Sequence, residues 1–156
     1  MLETKEIELV GALLESCCKH VLETMFFSTV LDRAKPDDGD RRERISTQLH
    51  FAGIPCGDLE VDADPHAVRL LAAGFLGVEP EELSESQTVE VMGEFANMTC
   101  GSALSSLARV EYFHLETPST SHASEYAPSI FGVRRGFLLE GGTLSVCLRV
   151  EFGWDA

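Results

Sequence analysis

Near the start of the chain, Ile7, Val10, Leu14, Cys17, Val21, Met25 and Phe26 recur at three- and four-residue intervals. That period puts one apolar face on a helix from about Glu3 to Leu31. Its last stretch, Met25 to Leu31, is apolar nearly all round, which predicts burial on more than one side or contact with another subunit. Asp32 to Arg44 is polar, holds Pro36 and Asp37-Asp38-Gly39-Asp40, and reads as an exposed loop. The period then changes to two. Ile45, Thr47, Leu49 and Phe51 mark a strand through Ala52, and Leu59 to Ala63 alternates again after a turn at Gly53 to Gly57. Asp64-Pro65 is a helix start, and the helix runs through Ala67 to Leu76 before Gly77 stops it. Pro80 to Leu83 makes a short connecting turn.

Ser84 or Ser86 then caps a third helix reaching about Leu107. Its inward positions are Val89, Met92, Phe95, Ala96, Thr99, Ala103 and Leu107. Val110 to Leu115 reads as a strand, and the Ser/Thr-rich stretch from Pro118 to Pro128 as a mobile loop. Phe137 to Glu140, the Gly141-Gly142 turn and Thr143 to Phe152 form a hairpin. Leu144, Val146, Leu148, Val150 and Phe152 alternate strictly, which predicts a last strand with one buried face. Two long helices and a short one around a mostly antiparallel sheet give an α+β fold, in one domain over residues 1–156. The only internal symmetry is weak: each half has a long helix followed by strands.

Composition narrows the partners. With 44% apolar residues, a chain of 156 residues can build one real core. Against 12 Lys and Arg stand 26 Asp and Glu, a formal net charge of -14. That surface repels phosphate backbones and anionic lipid, so neither nucleic acid nor a membrane surface is expected as partner. It suits a partner offering Lys or Arg, although excess acid also serves solubility alone. Cys17, Cys18, Cys56, Cys100 and Cys147 are odd in number, scattered and without a C-x-x-C, as buried thiols of a reducing compartment would be. No basic segment with an apolar run opens the chain, and no stretch nears the ~20 apolar residues of a membrane span. The expected location is the cytoplasm. Phosphate-binding Gly-rich loops, H-E-x-x-H and G-x-S-x-G are absent, and no two of the five histidines share ligand spacing on a helix. A metal site or cofactor of the chain's own is therefore not expected.

The third helix carries the candidate chemistry. Glu94 and Asn97 lie three residues apart and so about one turn apart on one face, with Glu90 and Gly101 extending the stripe. Polar stripes of this kind are ordinarily the solvated side of an amphipathic helix. Two details resist that reading. Asn is a mediocre helix residue, and Gly93 and Gly101 each cost ~1 kcal/mol against Ala. Small residues beside a polar pair permit a second backbone to approach closely, or simply close packing on the sheet. A carboxylate beside a carboxamide can grip a cation and orient a water.

Glu94-Phe95-Ala96-Asn97-Met98, followed by Gly101, resembles the E-x-x-N signature helix of the CheX/CheC chemotaxis phosphatases. The likeness is to CheX, which carries one such helix rather than two. His20-Val21-Leu22-Glu23-Thr24-Met25 is similar to a stretch near the end of that family's first helix, and the hairpin, short helix and closing strands follow the family order. The resemblance spans nearly the whole chain. It implies a CheC-like fold and removal of the phosphoryl group from the phosphoaspartate of a CheY-type response regulator, with Mg2+ supplied by that partner. It further implies that Asn97 orients the attacking water and Glu94 docks on a partner lysine, with Gly93 and Gly101 giving the helix access. A homodimer is implied too, and the last strand and the apolar end of helix one are its candidate surfaces. Two departures stand out. Glu90 occupies a position where the family often has Asp or Ser, and it could add a contact to a basic partner. The expected proline after the Asn comes somewhat early, at Pro118. The rival function is a non-catalytic module that docks the same kind of partner; a small-molecule enzyme is more distant, for want of a nucleophile or cofactor motif.

Overall fold

Helix α1 spans Thr4–Met25 and buries Val10, Leu14, Cys17, Cys18, Val21 and Leu22 in a computed structural model that describes residues 4–35, 43–123 and 132–151. It stops several residues before Leu31. Phe27 takes a left-handed backbone, φ 54°, and the Ser28 N–H turns back to the Leu22 carbonyl at 2.9 Å. A side chain in that region costs about 1–2 kcal/mol, more easily borne by Gly or Asn than by Phe. The stretch after the helix is not enclosed on several sides within the chain. Phe26 is buried, but Phe27 is 76% and Leu31 62% exposed.

Asp32–Ala34 form strand β1 where a loop was expected. β1 pairs antiparallel with a later strand, β6 (Val133–Leu139), and the Leu31 N–H bonds the Leu138 carbonyl. Its short, polar sequence carries no alternation because most of it faces water. β2 (Arg44–Ile54) and β3 (Cys56–Ala63) form the expected hairpin, each longer than the alternating core alone suggested. α2 spans Pro65–Leu76 and ends at Gly77, which takes the left-handed φ of 69°. Asp64 stands at the N-cap position but makes no side-chain cap bond. Its carboxylate instead meets Arg44 at 2.6 Å and accepts from the Thr143 N–H at 2.7 Å. Arg44 is 2% exposed, so this ion pair clamps the starts of β2, α2 and the last strand from inside.

After a 3-10 turn at Pro80–Glu82, α3 runs from Glu85 to Ser106. Ser84 rather than Ser86 is the cap: its hydroxyl accepts from the Gln87 N–H and the Gln87 side chain accepts from the Ser84 N–H. Met92, Phe95, Ala96, Thr99 and Ala103 are buried as the period predicts, joined by Val91, Cys100 and Leu104, while Val89 and Leu107 are half-buried. β4 (Tyr112–Leu115) follows. Ser119–Ala123, expected as loop, form β5, which pairs with β2 and brings the Thr47 and Thr120 hydroxyls to 2.8 Å. The rest of that expected loop lies outside the described residues. β6 and β7 (Gly142–Glu151) make the closing hairpin; Phe152 is likewise outside the described residues.

Among the described residues the sheet order is β1-β6-β7-β3-β2-β4, with β5 also on β2. The faint repeat in the sequence becomes a two-fold arrangement. In each half a long helix leads to outer strand structure, β1 after α1 and β4 with β5 after α3, that pairs with an inner strand of the other half, β1 with β6 and β4 and β5 with β2. One core cluster joins the three helices to the inward residues of the sheet, including Leu49, Leu59, Val61, Val146 and Leu148. β7 is central, hydrogen-bonded on both sides, and so is no edge that another copy could extend. Nor does it have a single buried face, since Thr143 to Leu148 are buried without interruption. Its second face carries Ser145 and Cys147 among the charged residues Glu60, Asp62 and Arg134 of the neighbouring strands. Burial, then the hydrogen bond and charge of Glu60, raise the Asp62 carboxyl from an ordinary 3.8 to about 7, against the opposing pull of Ser46 and Arg134. No helix among the described residues is long and apolar enough to cross a membrane.

Candidate functional site

The helical period that sends Met92, Phe95, Ala96 and Thr99 into the core leaves residues 90, 94, 97 and 101 along one flank of α3. A groove of about 400 Å³ opens on that flank. Glu90, Gly93, Glu94 and Asn97 form its floor, Phe75 and Leu76 at the end of α2 one wall, and Pro118 and Thr120 the other. Glu94 is exposed and Asn97 half-buried. Among the described residues neither side chain has a hydrogen-bond or ion-pair partner, so both are available to a visitor. The helix beneath them is held firmly. Phe95 meets the Phe26 ring edge-on with centroids 5.4 Å apart, and Phe26 lies 4.8 Å from Phe75.

Gly93 is placed differently from expectation. It is buried, and a Cβ there would lie 3.1 Å from Pro118 Cγ of the same chain. The space left by the missing side chain is taken by the link between β4 and β5, not open to a partner's backbone. Gly93 thus shapes the groove by letting its wall come close. Gly101 does not line the groove; it is half-buried beyond the groove's end, and a Cβ there would meet Leu115 Cδ1 at an ordinary 3.9 Å. The structure therefore brings Glu90, Gly93, Glu94 and Asn97 together and leaves Gly101 apart. The walls formed by Phe75, Leu76, Pro118 and Thr120 were not read from the sequence. The pairing of a helix glycine with the early proline was the one local hint.

Other chemistries find little here. The Cys100 thiol, close by on α3, is pushed up to about 12 by burial and then by the charge of Asp58, so it is not a thiolate nucleophile. Among the described residues no group of three or more His, Cys, Asp or Glu is placed to hold a metal ion. The symmetry-related flank of α1, beside β1, carries Ala12, Glu15, Ser16 and Lys19 over a cavity of about 440 Å³. Glu15 is committed to Arg33 at 2.6 Å, and α1 has no Asn. The carboxylate–carboxamide pair belongs to α3 alone of the two long helices.

Residues 45–130 match the family described as the chemotaxis phosphatase CheX. No curated protein matches the chain. Solved structures do. The chemotaxis protein CheX of Vibrio vulnificus superposes with a TM-score of 0.73 at 19% identity, covering 91% of this chain and 96% of that one. A putative chemotaxis protein of Desulfovibrio vulgaris Hildenborough gives 0.72 at 22% identity, over 92% and 97%. A CheX-CheY-BeF3-Mg2+ complex of Borrelia burgdorferi gives 0.68 at 17% identity, over 90% and 96%. The fold is that of the CheX/CheC-like structures. The chain belongs to the CheX family of chemotaxis phosphatases.

Proposed function

We propose that this protein hydrolyses the phosphoaspartate of a CheY-type receiver domain, with Asn97 and Glu94 as the working pair. The observation that carries this reading is the uncommitted carboxamide and carboxylate side by side on a rigid helix, open to one groove, in a member of the CheX family. The neighbour in complex with CheY, BeF3 and Mg2+ supports the partner class, since beryllofluoride mimics a phosphoryl group.

A phosphoaspartate is a mixed anhydride that hydrolyses unaided, and its transfer passes through a loose transition state. Little covalent chemistry is left to the phosphatase, so its contribution is positioning. The Asn97 amide holds the attacking water in line with the P–O bond that breaks. No general base is required. Glu94 makes a charge-assisted bond to the lysine beside the phosphoaspartate and fixes the docking register. Glu90, exposed on the same groove, adds negative charge facing a basic partner. Mg2+ belongs to the receiver in this scheme. The protein works in the cytoplasm as a homodimer; because β7 is interior, the two copies meet through outer strands of the sheet, for which β1 is our choice.

The test is phosphate release from a panel of phosphorylated receivers with Mg2+. Asn97→Ala should fall to the receiver's spontaneous rate while binding stays within a few-fold, because the lost interaction is made in the transition state. Asn97→Asp should do no better, its carboxylate repelling the phosphoryl oxygens. Glu94→Ala should weaken both binding and release. Wild-type turnover by Asn97→Ala would sink the mechanism, and binding without accelerated release by the unaltered protein would make it a docking module instead.

A further inference from the structure

Phe27 is out of place by two independent measures. It is the only non-glycine residue with a positive φ among the described residues, and it is the most exposed large apolar side chain among them. Neither feature helps the fold. A glycine would adopt the same backbone without strain, and a polar residue would not expose a ring to water. Its neighbour Phe26 already supplies the core contact, packed on Phe75 and Phe95.

The location of this turn gives it a purpose. It rests on the last turn of α2. Gly74 has no side chain because a Cβ there would lie 2.5 Å from the Phe26 carbonyl oxygen. Phe75 and Leu76, the next two residues, form the wall of the groove that holds Glu90, Glu94 and Asn97. Leu76 is itself 40% exposed, as is Met25 at 45% on the other side of the turn. Phe27 does not itself line the groove, but it directly follows Phe26, whose ring packs on Phe75 of the groove wall at 4.8 Å, so an exposed apolar turn backs a wall that stands over an acidic floor. That combination suits a surface with a basic group flanked by apolar side chains, and it fits an aromatic anchor beside a charged contact.

We infer that Phe27 is a docking anchor for the phosphorylated receiver domain, seated on apolar surface beside the cation that Glu94 engages. The inference rests on the receiver-directed reading of the groove. The left-handed turn fixes the backbone at the helix end and leaves the ring exposed to a partner. Phe27 touches neither water nor phosphoryl group in this scheme; it is a specificity residue that acts on encounter and retention.

The experiment uses the full chain, with Phe27→Gly and Phe27→Tyr, a phosphorylated receiver that the wild-type protein turns over, and sedimentation velocity alongside. Phe27→Gly should unfold at the wild-type midpoint or above it, raise KM for the phosphorylated receiver about tenfold, and leave kcat within twofold. Phe27→Tyr should restore KM. Wild-type KM in a folded Phe27→Gly protein would overturn the proposal. So would a lowered unfolding midpoint, which would make the ring part of the fold. A dimer that dissociates in Phe27→Gly with KM unchanged would also overturn it, by assigning the turn to contact between copies. If the wild-type protein accelerates release from no receiver, the reading of the groove itself fails, and this proposal with it.

Discussion

Replacing Gly93 by alanine puts a methyl group against the wall of the groove, and replacing Gly101 by alanine puts the same group eight residues further along the same helix in open contact. The two changes have the same intrinsic effect on α3, a gain of about 0.8–1.0 kcal/mol in helix propensity. Their surroundings differ. At Gly93 the new Cβ lies 3.1 Å from Pro118 Cγ and 3.7 Å from Pro118 Cβ, so the proline must retreat by a few tenths of an ångström. Pro118 sits in the link between β4 and β5, both of which pair with β2, so the retreat is resisted from both sides. Overpacking of this kind costs about 1–3 kcal/mol, which leaves a net loss of about 0–2 kcal/mol. At Gly101 the nearest atom is Leu115 Cδ1 at 3.9 Å, an ordinary contact, so the propensity gain survives as a stabilisation of about 0.5–1 kcal/mol. For a chain of this size that is a rise of about 1–4 °C in Tm. Urea unfolding followed by circular dichroism measures the first quantity, and phosphate release from a receiver the second. Gly93→Ala should lower kcat/KM several-fold by shifting the groove wall, and Gly101→Ala should leave it unchanged. If Gly93→Ala gains the same stability as Gly101→Ala and keeps full turnover, Pro118 does not shape the site. If Gly101→Ala is stabilised but loses turnover, the partner reaches beyond the groove to Gly101, as the sequence had suggested.

Two further predictions concern the frame around the site. Asp62 has a carboxyl pKa raised to about 7 in the folded state against 3.8 ordinarily, so the folded protein holds the extra proton between those values. Stability from this group is therefore greatest below about pH 4 and is lost as pH rises through 7, by up to about 4 kcal/mol. Asp62→Asn should flatten that part of the profile of unfolding free energy against pH and raise stability at pH 8; an unchanged slope would refute the assignment. Arg44→Met removes one half of the buried pair with Asp64 and should cost about 3 kcal/mol in urea unfolding, partly recovered in the Arg44→Met, Asp64→Asn double variant. Additive losses in that pair would mean the two side chains do not act together.

Much of this protein is written in local pattern. The 3.6-residue period of α1 and α3, the Asp64-Pro65 start and Gly77 stop of α2, and the strands β2, β3 and β7 appear in the stretches where local pattern puts them, although α1 stops at Met25 and only β2 keeps its alternation of buried and open positions. So do a serine cap at the start of α3, which local pattern leaves open between Ser84 and Ser86 and the structure places at Ser84, and the stripe holding Glu94 and Asn97, because a period reports directly which side of an element meets the core. What stayed hidden depends on neighbours remote in sequence. β1 and β5 are short outer strands in polar sequence, recognisable only by their partners β6 and β2. The second buried face of β7 follows from its place between β3 and β6, and Asp64 gives up capping because Arg44 and Thr143 reach it first. Gly93 looked like an opening toward another molecule and is instead filled by Pro118, twenty-five residues later. Phe27 looked like part of a buried helix end, yet it is turned outward by the left-handed backbone that ends α1. Local pattern tells which residues can do chemistry and on which helix they stand. Which of them share a groove, and what walls it, follows from packing between remote segments, since no local period encodes those distances.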